Sequence, residues 1–144
     1  SWGDFVGGYG RLQQRGTRVC VHLTDGLPGE TPEMMVESAR RVAALRPHSV
    51  KLHLLHLVRG TALEKIYGAG DLRFLSREEY VKIVVDQLEV LPPDTVIARL
   101  TGDGPRQSLI GPLWSLHKRQ VLNAIDQELA RRDSWQAKRW SEDV

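Results

Sequence analysis

The chain of 144 residues carries a single cysteine, Cys20. One thiol cannot close an internal disulfide, and alone it holds neither a structural zinc nor an iron–sulfur cluster. Charge of one sign is equally scarce. Lys and Arg total 20 against 18 Asp and Glu, a formal surplus of +2, too small to argue for nucleic acid or an anionic membrane. No apolar run approaches the roughly 18 residues of a membrane helix. No signal-like stretch follows Ser1, which stands where an initiator Met would, so the expected address is cytoplasmic with no membrane partner. Also missing are G-x-G-x-x-G, G-K-[ST] and G-x-S-x-G, which sets aside a dinucleotide fingerprint, a phosphate loop and a hydrolase elbow. Hydrophobic residues make up 41% and charged residues 26%, the balance of a folded globular chain of one domain rather than a disordered one.

What is present alternates short apolar runs with amphipathic stretches, the pattern of an α/β chain. A helix over about 4–15 is weakened by Gly7, Gly8 and Gly10 and stopped by Gly16. Thr17 to Thr24 (T-R-V-C-V-H-L-T) is the first strand, by its β-branched residues and alternation. Thr31 caps a helix from Pro32 to about Arg46, with Met35, Ala39, Val42 and Leu45 as its apolar stripe. Ser49 to Leu57 reads as the second strand, and a short helix follows around Ala62 to Tyr67 before Gly68 and Gly70 break the pattern. Ser76 and Glu79 form a capping box that opens a helix to about Leu91, with Tyr80, Ile83, Val84, Leu88 and Leu91 on its buried side. Thr95 to Leu100 is a third strand, 101–112 a Gly/Pro-rich loop, and Leu113 to Arg132 a last helix. The tail after Asp133 reads as loosely ordered, with Trp135 and Trp140 available to dock.

A strand–helix–strand unit is parallel and right-handed, and parallel strands need several neighbours. Two or three strands therefore suggest part of a larger sheet or barrel. Alternation sends Val19, Val21 and Leu23 to one face of the first strand and Arg18, Cys20, His22 and Thr24 to the other. On the second strand it groups Val50, Leu52, Leu54 and His56 against Lys51, His53 and Leu55. Helices must cover the apolar side, so His22 and His53 should share the opposite surface near the strands' C-terminal ends, where α/β proteins build sites. The alternative is a pair of hydrogen-bonded core histidines. His53 and His56, three apart on a strand, should point to opposite faces and fail to chelate one ion, so no metal ligands are assigned.

The loop Gly26 to Glu30 (G-L-P-G-E) joins the first strand to a helix start, where exposed N–H groups attract anions and glycines admit a ligand close to the backbone. An ordinary strand-to-helix turn has the same composition. Arg99 and Arg106 flank Asp103 in the 101–112 loop, which a local ion pair explains. Basic residues with Trp135 and Trp140 toward the end have the elements of an RNA-stacking surface, but Asp126, Glu128, Asp133 and Glu142 interrupt them, as on a solvated helix face.

Taken in order, Val19 to Thr31 (V-C-V-H-L-T-D-G-L-P-G-E-T) and Val50 to Thr61 (V-K-L-H-L-L-H-L-V-R-G-T) resemble radical S-adenosylmethionine (radical SAM) enzymes, specifically the YhcC-like subfamily of iron–sulfur oxidoreductases. The resemblance continues through Tyr80-Val81, Leu91 to Pro93, Arg99 to Asp103 and Pro112 to Trp114, covering nearly the whole chain. It implies the last two units of a partial (β/α)6 barrel in residues 1–75 and a mainly helical C-terminal extension in 76–144. It implies that Gly26, Leu27, Pro28, Gly29 and Glu30 lie beside bound S-adenosylmethionine, that Leu55 and Thr61 bound a segment bordering the cofactor or substrate space, and that His22 and His53 face the lumen as catalytic candidates. The family's C-x-x-x-C-x-x-C motif, which binds a [4Fe–4S] cluster, is absent and Cys20 does not match it. The family's tendency to Gln-Gly near the end is Gln136-Ala137 here, which argues against a special turn.

The resemblance thus implies the C-terminal part of an enzyme that cleaves S-adenosylmethionine to a 5′-deoxyadenosyl radical, inactive without its N-terminal half. The substrate, a small molecule or an RNA base, is unspecified. The alternative is a non-catalytic binding module derived from the barrel, self-associating through an exposed sheet edge.

Overall fold

The computed structural model describes residues 1–68 and 72–142; Gly70 of the expected break lies outside them. The elements run α1 (Trp2–Gln14), β1 (Cys20–Asp25), α2 (Pro32–Ala44), β2 (Ser49–Leu54), β3 (Leu57–Val58), α3 (Ala62–Tyr67), α4 (Arg77–Val90), β4 (Val96–Arg99), β5 (Leu109–Gly111), a 3-10 turn (Leu113–Leu116) and α5 (Lys118–Arg131). The chain is α/β, as its alternation predicts. Strands β1, β2 and β4 form one parallel sheet with β2 in the middle, and β3 pairs antiparallel with β5.

Local chemistry sets the helix starts. Thr31 Oγ1 accepts the Met34 N–H at 3.3 Å, with Pro32 at the first helical position, where its missing N–H leaves nothing unsatisfied. Ser76 and Glu79 close a reciprocal capping box: the Glu79 N–H donates to Ser76 Oγ at 3.1 Å and the Ser76 N–H to Glu79 Oε2 at 2.8 Å. The expected stripe of α4, from Tyr80 to Leu91, is buried throughout. Val81, Val85 and Val90 are buried as well, because α4 packs against α2 and α5, and Val81 and Val85 join the sheet's core.

The core lies on one side of the sheet. Val21, Val50, Leu52 and Leu54 pack with α2 and α4, and Val121 and Ile125 of α5 close the far side of α4. Fully burying one such side chain contributes roughly 1.5–3 kcal/mol. On the opposite face Cys20, His22, Thr24 and Arg99 are exposed and Lys51 and His53 half-buried, so the predicted division of β1 and β2 into an apolar and a polar side is observed. The sheet and its core continue across position 75, since β4 pairs with β2 and α4 packs on α2.

Four expectations are corrected. The second strand stops at Leu54, not Leu57. Leu55 donates its N–H to the Asp25 carbonyl at 2.8 Å, and after His56 the chain enters the second sheet. His56 is thereby released from the alternation that placed it with Leu54. The 101–112 loop contains β5, a strand too short for periodicity to show. The last helix is interrupted at His117, between the 3-10 turn and α5. The tail is docked rather than loose: Gln136 Nε2 donates to the Pro92 and Thr95 carbonyls, and the N–H groups of Ala137 and Arg139 donate to Leu88 and Glu89 at the end of α4. Ala137 has φ +71°, so a left-handed turn forms at the position where the missing glycine argued against one.

Candidate functional site

The Gly26–Glu30 loop leaves the C-terminal end of β1 and forms one wall of a groove of about 450 Å³. Gly26 and Gly29 have φ of +82° and +77°, a region that disfavours any residue with a Cβ. A Cβ at Gly26 would also lie 3.2 Å from the Leu75 side chain, whereas one at Gly29 would meet nothing within 4 Å. Glu30 folds back on its own loop. Its Oε2 accepts the Leu27 N–H at 3.3 Å and its N–H donates to the Leu27 carbonyl at 3.0 Å. Burial raises the pKa of Glu30, against the opposing pull of the backbone donors at Leu27 and Gly26. Leu72, Arg73 and Leu75 form the facing wall with Tyr67.

The structure therefore brings together five of the seven positions expected beside a cofactor. Leu55 and Thr61 are not among the groove's described lining residues. Leu55 ties β2 to the end of β1, and Thr61 caps α3, its Oγ1 accepting the Glu64 N–H and donating to the Val58 carbonyl at 2.7 Å.

The two histidines meet on the polar face. The ring centroids of His22 and His53 are 5.2 Å apart with planes tilted by 35°, because Thr24 rather than His22 is the register partner of His53 and the rings lean across one step. Both His53 and His56 border Gly102: a Cβ there would lie 3.2 Å from His53 Nδ1 and 3.5 Å from His56 Cε1. The argument that these histidines must diverge fails because the strand ends between them. His56 Nε2 is 3.1 Å from Ser115 Oγ, and among the described residues no three His, Cys, Asp or Glu side chains are grouped to hold a metal ion. The pKa of His53 is lowered, first by burial and then by the positive charges of Arg99, His22, Lys51 and His56.

A third feature was not singled out in the sequence. Asp25 continues the alternation of Val21 and Leu23 and so points into the core, 2% exposed. Its Oδ1 accepts from Gln87 Nε2 at 2.7 Å, and Gln87 also donates to the Met35 carbonyl at 3.2 Å. Burial is the main reason the Asp25 pKa is pushed up to about 7; the Gln87 hydrogen bond opposes this and the Glu30 charge adds to it. Strict alternation through residue 25 was the signal that would have found it. Nothing in the local sequence marks Gln87, Gly102 or the far wall of the groove, which long-range packing supplies.

A parallel sheet covered by helices on one face, bare and polar on the other, with a glycine-bearing groove at a strand's C-terminal end, defines an α/β protein of the kind that builds sites at strand ends. More narrowly, the chain belongs to the Radical_SAM C-terminal domain family, which matches residues 47–131. It is 48% identical over 134 residues to the uncharacterized protein YtqA of Bacillus subtilis, covering 93% of this chain and 42% of YtqA. It is 32% identical over 117 residues to protein YhcC of Escherichia coli K12, covering 81% of this chain and 38% of YhcC. The chain spans about two fifths of the length of these relatives. Its fold matches part of an archaeal Elp3 from Methanocaldococcus infernus with a TM-score of 0.73 at 17% identity, covering 87% of this chain and 29% of that one. No helix among the described residues is long and apolar enough to cross a membrane.

Proposed function

We propose that this chain is the C-terminal part of a radical SAM enzyme, supplying the last two strand–helix units of a partial barrel and a helical extension. The observation that carries the reading is the groove at the end of β1, walled by Gly26 to Glu30 and open at Gly29, within a family named for this cofactor. These residues fit S-adenosylmethionine: Gly29, with nothing within 4 Å of its Cβ position, lets a ligand approach the main chain, and Glu30 holds the loop in that shape. Reductive cleavage to a hydrogen-abstracting radical is the chemistry that the cofactor would supply there. The chain does not fit the cluster, which needs three thiolates where only Cys20 exists. The cluster ligands therefore belong to an N-terminal partner half.

The edge of β1 supports that division. Its outer side carries no strand among the described residues, and Trp2 and Phe5, stacked with centroids 5.3 Å apart and each about 40% exposed, line a surface hollow with Val21, His22 and Leu23 of β1. An open parallel edge flanked by exposed aromatics suits a preceding barrel strand. His22 and His53 then face the lumen as residues that position substrate.

The test is the intact mass and iron content of the gene product isolated from its source cells. The expected result is a mass more than twice that of this chain, with about four irons per polypeptide. A mass near 16 kDa without iron overturns the reading and leaves a cluster-free binding module. In the iron-loaded enzyme, Glu30→Ala should weaken S-adenosylmethionine binding and His53→Ala should lower turnover.

A further inference from the structure

The polar face of the sheet carries two fixed cations, Lys51 and Arg99, side by side with the imidazoles of His22 and His53. Lys51 is the register partner of His22 on one side and of Arg99 on the other. The β4 contact is made by a bulge. Val50 pairs with Ile97 but Lys51 with Arg99, so Ala98 is skipped, and Arg99 shares the face of Lys51 while Ile97 packs toward the core. His53 sits one step nearer the strand ends, within reach of the charges of Arg99, His22, Lys51 and His56.

Among the described residues no carboxylate pairs with Lys51 or Arg99, and neither takes part in any of the ion pairs found elsewhere on the surface. The acid at this corner, Asp103, is bridged to Lys118 at 3.3 Å and acts on His56. His53 Nε2 is buried and has no hydrogen-bond partner. Like charges placed directly opposite one another across neighbouring strands destabilise a sheet. A sequence that keeps Lys51 opposite Arg99, and introduces a bulge to align them, departs from local consistency in the way functional sites do.

We infer that His22, Lys51, His53 and Arg99 form a binding site for an oxyanion, the phosphate or carboxylate group of a small-molecule substrate. Arg99 and Lys51 supply fixed positive charge, and the unpartnered Nε2 of His53 supplies a hydrogen bond. None of these four residues lines the groove at residues 26–30, so the two sites are separate. As the substrate pocket of a barrel lumen, the assignment rests on the proposed function; as an anion site, it is read on this chain's own residues.

The experiment is a titration of the histidine-labelled gene product at fixed pH and constant ionic strength, with chloride replaced by inorganic phosphate or by acetate. Imidazole resonances of His22 and His53 are followed by NMR. Saturable shifts of both, in the millimolar range or below, are expected with one of the two anions. Phosphate then indicates a phosphate ester and acetate a carboxylate. Arg99→Gln and Lys51→Met should each weaken that binding at least tenfold, while Arg11→Gln, on α1, leaves it unchanged. Because position 99 is exposed, Arg99→Gln tests the site even where Lys51→Met unfolds the chain. Non-saturating shifts, or equal binding by Arg99→Gln and the wild type, overturn the inference. Iron content decides the enzyme reading separately, so either can fail alone.

Discussion

Asp25→Asn should stabilise the protein at neutral pH and flatten its pH dependence. The Asp25 carboxyl has an ordinary pKa of 3.8 when the chain is unfolded and about 7 in the fold. The folded state therefore holds its proton more tightly than the unfolded state does. Stability associated with this group is complete below about pH 4, is lost as pH rises toward 7, and is flat above that. A gap of about 3 pH units at about 1.4 kcal/mol each gives roughly 4 kcal/mol, an upper bound because a buried charge draws in water and neighbouring dipoles. Asparagine removes the ionisation and keeps an oxygen to accept the 2.7 Å hydrogen bond from Gln87 Nε2. Its amide also places a donor at the position of Asp25 Oδ2, which is buried without a hydrogen-bond partner. We expect the variant to exceed the wild type by at least about 2 kcal/mol at pH 8, a rise of roughly 6 °C in Tm, with the difference shrinking toward pH 4. Urea unfolding of both proteins from pH 4 to 8.5 measures it. A variant less stable than the wild type at pH 8, with an unchanged difference at pH 5, would refute the reasoning.

Two further substitutions test the tail. Ala137→Gly relieves a left-handed residue (φ +71°) whose N–H bonds the Leu88 carbonyl at 3.0 Å. The gain is about 0.5–1 kcal/mol once glycine's extra freedom in the unfolded chain is counted, visible as a Tm rise of a few degrees; a fall in Tm would contradict it. Arg132→Leu removes the cation that joins Asp86 at 2.6 Å and Glu128 at 2.7 Å and lies 3.7 Å from the 6%-exposed Glu89. Leaving these carboxylates with fewer partners should cost about 2 kcal/mol in urea unfolding, less than for a fully buried pair because Arg132 is itself 21% exposed. No measurable loss would show that Arg139, 3.2 Å from Glu89, and the Ser134 hydroxyl, which donates to it at 2.7 Å, suffice to hold that carboxylate.

By itself the sequence determined the elements whose chemistry is local. Thr31 and Ser76 start their helices through their own side chains, and the apolar stripes of α2 and α4 follow from spacing alone. Alternation along β1 and β2 separated a helix-covered face from a polar one and placed His22 and His53 on the latter. The family resemblance was legible in the same ordered motifs, and residues 47–131 carry the family match. Tertiary structure decided everything that depends on where a strand ends or what crosses over it. Alternation holds only while the backbone remains extended, so the break after Leu54 turned His56 toward Gly102, and the bulge at Ala98 moved Arg99 into line with Lys51. The far wall of the groove, from Leu72 to Leu75, and the partnership of Asp25 with Gln87 join residues distant along the chain. Periodicity reports which face a residue takes, but only packing reports what stands opposite it.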